Sequence, residues 1–206
     1  MSHSLSEYLQ ENRDRFEKEL AEFLAIPSVS TESRHSKDVA RCAAWVAEHV
    51  RRAGVSSVEI VETDGKPIVV AEHIVNPDLP TLLVYGHYDV QPVDPVELWE
   101  SPPFEATVRD GCVFARGSND DKGQVHMHIK ALEARLKTGL GMPVNVKLVI
   151  EGEEEIGSVH LEAFLRDNAQ RLACDAVVIS DTGMLGPDIP SIGTGLRGLA
   201  YLEVFV

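Results

Sequence analysis

The sequence predicts an α/β fold in which a mostly parallel central sheet is flanked by helices. Three observations predict it. Helical periodicity alternates with short apolar runs along most of the chain. The runs at 81–85, 144–150 and 176–179 are almost wholly apolar, as strands covered on both faces are. Acidic or histidine-bearing clusters follow these runs, at the strand ends where such a sheet opens to a ligand crevice.

Each element has its own signal. Ser4-Leu5-Ser6-Glu7 has the form of a capping box. Leu5, Leu9, Phe16, Leu20 and Leu24 then predict one helix, stopped by Pro27. A second helix is expected over 37–52, with Val39, Ala43, Val46 and Val50 inward and Gly54 ending it. Strands are expected at 58–61, 68–72 and 81–85. The proline-rich segment 91–103, carrying Trp99, is a loop. Asp110-Gly111 between 107–109 and 112–115 predicts a hairpin. Val125, Ile129, Leu132 and Leu136 predict a helix over 121–137, closed by Gly139. A buried strand at 144–150, a short helix at 159–168 and a strand at 176–179 follow. Gly193-Thr194-Gly195-Leu196-Arg197-Gly198 is a loop, and 199–206 is expected to be a strand without a partner after it.

Composition narrows the function. The 206 residues, 44% of them hydrophobic, suffice for one domain, or one domain and the start of another. A formal net charge of −14 argues against nucleic acid or an anionic membrane as partner. No stretch is long and apolar enough to span a bilayer, and the N-terminus has no signal-peptide apolar core. Cys42, Cys112 and Cys174 are odd in number and far apart, without a CxxC pair. A reducing, cytoplasmic setting is therefore expected. All three have apolar neighbours in sequence and are expected to be buried.

Four clusters carry the chemistry. In Gly86-His87-Tyr88-Asp89, a His-x-Asp pair at the end of an extended run can supply an imidazole ligand and a carboxylate that fixes its tautomer. Asp120, with Asp121 beside it, precedes a helix; it can cap the helix or bridge metals. Glu153, Glu154 and Glu155 follow a buried strand, where adjacent carboxylates repel one another and a cation would relieve them. One of them could bind metal while its neighbour takes a proton. Asp181 adds a carboxylate after another strand. Imidazole and carboxylates at such positions are what a zinc-type hydrolytic site needs. His126 and His128, two apart on a helix, face apart, and neither they nor His160 belong to an evident carboxylate constellation. No nucleophile elbow, P-loop or dinucleotide-binding turn is present.

In this order the clusters resemble those of the M20 metallopeptidases, a dinuclear zinc family. The stretches 85–92, 116–124 and 150–158, with Ile26-Pro27-Ser28-Val29-Ser30 and Gly195-Leu196-Arg197-Gly198, look most like its carnosine-dipeptidase-like branch. The resemblance implies that His87 and Asp181 bind one zinc, that Asp120 bridges both, and that Glu155 binds the second. It implies that Glu154 is the general base and that Asp89 orients His87. It also implies a cis peptide between Asp120 and Asp121, a small-peptide substrate, and homodimerisation through an inserted lid domain. All eight histidines lie at or before His160, so the family's last histidine ligand is absent. Residues 1–196 are accordingly expected to be the N-terminal part of the catalytic domain, and 197–206 the first strand of the lid. One zinc is expected to bind firmly, with Mn2+ or Co2+ also chemically suitable. The alternatives are an N-acyl amino acid amidohydrolase, and a non-catalytic fragment that binds metal or a partner strand.

Overall fold

The structure is a computed structural model that describes residues 4–186, 189, 191–193, 195, 198 and 200–205. Helices α1 (Leu5–Glu11), α2 (Arg13–Leu24) and α3 (Ser36–Ala53) open the chain. Strands β1 (Ser57–Val61), β2 (Ile68–His73) and β3 (Thr81–His87) follow. A small hairpin, β4 (Thr107–Arg109) and β5 (Cys112–Phe114), precedes α4 (Lys122–Lys137). Strand β6 (Asn145–Glu151), α5 (Leu161–Asp167) and β7 (Ala176–Ile179) complete the described elements.

The five-stranded sheet has the order β1-β2-β6-β3-β7. It is mixed rather than mostly parallel. β1 pairs antiparallel with β2, and β2 with β6. β6, β3 and β7 run parallel. The β1–β2 connection is too short for a helical crossover, and an antiparallel hairpin is what so short a link permits. The parallel half is the half that matters for function, because its three strands end on the same edge.

Alternation along the strands buries both faces. Val69, Ala71, Val84, Val146, Leu148 and Ile150 pack in one core with α2, α3 and α4. Ile68, Val70, Leu83 and Val149 face the other way, onto Phe164 of α5 and Leu172. Helix α3 buries Val39, Cys42, Ala43, Val46, Ala47 and Val50 along one stripe and ends at Gly54, whose φ of +103° suits glycine.

Several sequence expectations are corrected. The expected first helix is two, because Asn12 (φ −99°, ψ 6°) leaves the helical conformation and caps both pieces. The capping box at Ser4 and Glu7 is present, but α1 buries nothing and Leu9 is exposed. Only Cys42 of the three cysteines is buried; Cys112 sits on the exposed hairpin and Cys174 in the turn before β7. The strand expected over 199–206 falls partly outside the described residues, as do Arg197 and Leu196 of the loop before it. The described residues 200–205 are irregular and exposed. No helix among the described residues is long and apolar enough to cross a membrane.

Candidate metal centre

His87 is the last residue of β3, in register with Glu151 at the end of β6. Its side chain is wholly buried. Nε2 lies 3.1 Å from Asp120 Oδ1, 3.7 Å from Asp181 Oδ2 and 4.0 Å from Glu154 Oε2. One nitrogen of His87 and one oxygen each of Asp120 and Asp181 all lie within 4.8 Å of one another. The parallel strands explain the convergence. His87 ends β3, Asp181 follows its neighbour β7, and Glu154 follows β6 on the other side.

The opposite ring atom, Nδ1, faces Asp89, 3.1 Å from its carbonyl oxygen and 3.3 Å from Oδ1. The Asp89 carboxylate has a second task. Its Oδ1 accepts the Glu154 N–H at 3.2 Å and its Oδ2 accepts the Glu155 N–H at 3.1 Å. One buried carboxylate thus ties the imidazole to the turn that carries two further carboxylates. Glu155 turns its Oε2 to Gln91, whose side-chain amide donates to it at 2.8 Å and to the Glu155 carbonyl at 3.2 Å. Glu155 stands outside the His87–Asp120–Asp181 cluster.

Asp120 is placed by a cis peptide to Asp121, at the entry to α4. Asp121 points inward, where its Oδ2 accepts the His87 N–H at 3.1 Å. Lys122, wholly buried, donates to the carbonyls of Phe23 (3.1 Å), in the last turn of α2, and of Ile26 (2.6 Å), just beyond it. Gly86 allows this packing: a Cβ there would come 2.6 Å from Asp121 Oδ2 and 2.8 Å from Val125 Cγ2. Below the Glu154 turn, Glu151 accepts from Tyr85 (2.5 Å) and Ser158 (2.8 Å).

The electrostatics are those of crowded carboxylates. Burial raises the pKa of Glu154, and Glu155 and Asp181 add to it against the opposing pull of His87. Burial also raises Glu155, which the Gln91 amide partly offsets. Burial pushes Asp121 up to about 7. Burial pulls the His87 pKa down, but the hydrogen bond and charge of Asp89, with Asp121 and Glu154, outweigh it and leave it at about 10. An imidazole nitrogen and two carboxylate oxygens, with unshared negative charge beside them, fit a divalent transition metal such as zinc.

Sequence reasoning found the three clustered residues and their neighbours Asp89, Glu154 and Glu155. It assigned no role to Gln91, Lys122 or Glu151, although all three lie within the stretches that carry the resemblance. It also gave no role to His128, whose Nε2 is 2.7 Å from Ser180 Oγ, or to His160, whose Nδ1 is 2.8 Å from buried Glu153 Oε2.

A nitrogen-and-carboxylate cluster at the parallel edge of an α/β sheet defines a candidate metal centre of the hydrolytic type. The chain belongs to peptidase family M20/M25/M40, whose pattern it matches over residues 83–195. It is 35% identical to the Cys-Gly metallodipeptidase dug1 of Schizosaccharomyces pombe, over 98% of this chain and 45% of that protein. It is 35% identical to the Beta-Ala-His dipeptidase of Homo sapiens, over 97% of this chain and 42% of that protein. The solved structure of the di-peptidase Dug1p from Saccharomyces cerevisiae matches with a TM-score of 0.81 at 30% identity, covering 90% of this chain and 43% of that one. Human carnosine dipeptidase 1 matches with a TM-score of 0.81 at 34% identity, over 86% of this chain and 40% of that one. The chain therefore spans less than half the length of these relatives.

Proposed function

We propose that this chain carries the metal-binding half of a catalytic domain that hydrolyses the peptide bond of dipeptides or other small peptides. One observation carries the reading. His87, Asp120 and Asp181 converge within 4.8 Å, and the Glu154 carboxylate stands 4.0 Å from the same His87 nitrogen without joining them. A bound zinc ion would supply Lewis acidity to the scissile carbonyl and to the attacking water.

The chain's own residues do the rest. His87, Asp120 and Asp181 hold the ion. Asp89 fixes the His87 tautomer and presents Nε2 to the centre. Glu154 takes the proton of the attacking water and returns it to the leaving amine. Its raised pKa suits a group that must accept and then release a proton. Asp120 and Glu155 provide for a second ion, with Gln91 steadying Glu155. Only carboxylates serve that second position, so we assign it the weaker affinity. The relatives' names, a Cys-Gly and a Beta-Ala-His dipeptidase, support a small peptide as substrate. Homodimerisation of the longer protein and a reducing, cytoplasmic setting belong to the same reading.

Zinc titration by calorimetry tests it, on the chain as given and on a His87→Ala variant. One tight site that disappears in H87A is expected. An unaltered isotherm in H87A would remove the metal-centre reading. Dipeptide and N-acyl amino acid panels, run on this chain and on a version extended to the relatives' length, then decide the substrate class. Cleavage of dipeptides by the longer form alone is expected; preference for N-acyl amino acids would replace the dipeptidase reading.

A further inference from the structure

Of the three clustered residues, Asp181 has the weakest support from the fold. His87 ends a strand paired on both sides. Asp120 leads into α4 through a loop braced by Gly123 N–H to Gly117 O (3.3 Å) and by the Gln124 side chain to Asn119 O (2.9 Å). Asp181 instead follows β7, an edge strand bonded only to β3 among the described strands, with Val177 and Ile179 exposed. Among the described residues of 176–186, the hydrogen bond between Ser180 Oγ and His128 Nε2, at 2.7 Å, is the one side-chain bond that ties the segment to the rest of the molecule. Beyond the backbone ladder of β7 with β3, the contact of Asp181 with His87 is the other side-chain tie among the described residues.

His128 sits on α4, the helix that Asp120 introduces. Six residues separate it from Lys122 at the helix start, roughly 9 Å of rigid rise. One helix therefore carries Asp120 at its entry and grips, further along, the residue next to Asp181. An apolar side chain would be cheaper to bury there than an imidazole, whose pKa burial drives down. The hydrogen bond to Ser180 is what an imidazole adds.

We propose that His128 is a positioning residue for the metal centre: by holding Ser180 it uses α4 as a spacer that sets Asp181 against Asp120. The proposal rests on reading His87, Asp120 and Asp181 as metal ligands. It assigns a role to a residue outside the ligand set and outside every cluster that the sequence marks.

Zinc affinity, measured by competition with a chromophoric chelator, is the test on the full chain. The variants are His128→Ala, Ser180→Ala, the double variant, and His128→Gln, whose amide reaches as far as Nε2. Each alanine variant is expected to bind zinc about tenfold more weakly, at the lower end of what losing a hydrogen bond behind a ligand costs. The double variant is expected to be no weaker than either single one, because both remove the same bond. H128Q is expected to recover most of the affinity. Thermal unfolding of the metal-free variants is measured in parallel. A lowered melting temperature with zinc affinity within twofold of wild type would make His128 a merely structural residue and overturn the proposal. So would losses that add in the double variant. If H128A does not fold, Ser180→Ala, at a half-buried position in an edge segment, decides alone. H87A separates the two levels. If H87A abolishes binding while the His128 and Ser180 variants match wild type, only the positioning role falls. If H87A leaves binding intact, the ligand set falls and this proposal falls with it.

Discussion

The Asp89 carboxylate is wholly buried, and each of its oxygens accepts a backbone N–H from the Glu154–Glu155 turn while Oδ1 also faces the His87 ring. Truncation by Asp89→Ala would leave two amides and a ring nitrogen without their acceptor. Hydrogen bonds to a charged group contribute about 1.5–3 kcal/mol each. We expect D89A to lower unfolding stability by about 3 kcal/mol in urea titrations without zinc, and to weaken zinc binding as well. Glu154→Gln should behave differently. Its side chain is partly open to solvent and outside the three-residue cluster, so zinc binding should stay near wild type. Hydrolysis by the extended form should fall about 10²–10⁴-fold, the usual contribution of a general base. Retained hydrolysis in E154Q would move the base elsewhere. His87, Asp120 and Asp181 were legible in the sequence because each follows an apolar run that had to be a strand or leads into a periodic helix. Gln91, Lys122 and His128 were not. Their partners lie 64, 99 and 52 residues away, and no local pattern encodes so distant a contact.

Between elements, two features of α4 stand out. It packs against β3 across Gly86, where any side chain would meet Asp121 and Val125. Gly86→Ala should force the helix entry outward and displace Asp120; loss of most zinc affinity is the expected readout, even where circular dichroism stays native. Further along, α4 joins a nearly dry ion network. Lys130 contacts Glu19 at 2.5 Å and Glu133 at 2.9 Å, Arg15 of α2 contacts both glutamates, and Tyr8 of α1 donates to Glu133 at 2.9 Å. Removing one member of a buried network leaves the others uncompensated, at a cost of about 3–5 kcal/mol. Glu133→Ala should show a loss of that size in denaturant unfolding, whereas Glu17→Ala, which breaks the exposed Arg13–Glu17 pair, should change stability by less than about 0.5 kcal/mol. Apolar spacing located nearly every helix and strand to within two residues. It could not foresee that Lys122, Lys130 and Glu133 would lie on the buried face of α4, because a charge is buried only when partners from other helices arrive. Nor could it give the direction of β2 against β6, which local spacing does not set.

In the molecule as a whole, His126 contributes a loss of stability in mild acid, opposed by Asp121, whose carboxyl is raised to about 7 and contributes a gain in the same range. Burial, with the charge of Lys130 acting in the same direction and Glu19 against it, lowers the His126 pKa to about 4. In the unfolded chain the imidazole titrates near 6.5. Between these values the unfolded state binds the extra proton, so His126 lowers stability as pH drops from 6.5 to 4 and costs nothing more below that. The shift corresponds to about 3 kcal/mol. The melting temperature of the wild-type chain should therefore fall relative to that of His126→Leu over this window, because the contribution of Asp121 is common to both. The network adds a second, lower window. Glu133, which the ion pairs with Arg15 and Lys130 bring to about 2 despite its burial, contributes stability that is complete above about 4.5 and disappears as pH falls through 2. The placement of the metal cluster has a kinetic consequence. His87 and Asp120 are 33 residues apart, and Asp89 meets the Glu154 turn across 65. Contacts across such separations close late, after the loop entropy between them has been overcome. An ion held there would grip only the finished fold and not the barrier state that precedes it. Zinc should then leave the refolding rate almost unchanged and slow unfolding, and a chelator should shorten the native lifetime without touching the refolding limb of the chevron.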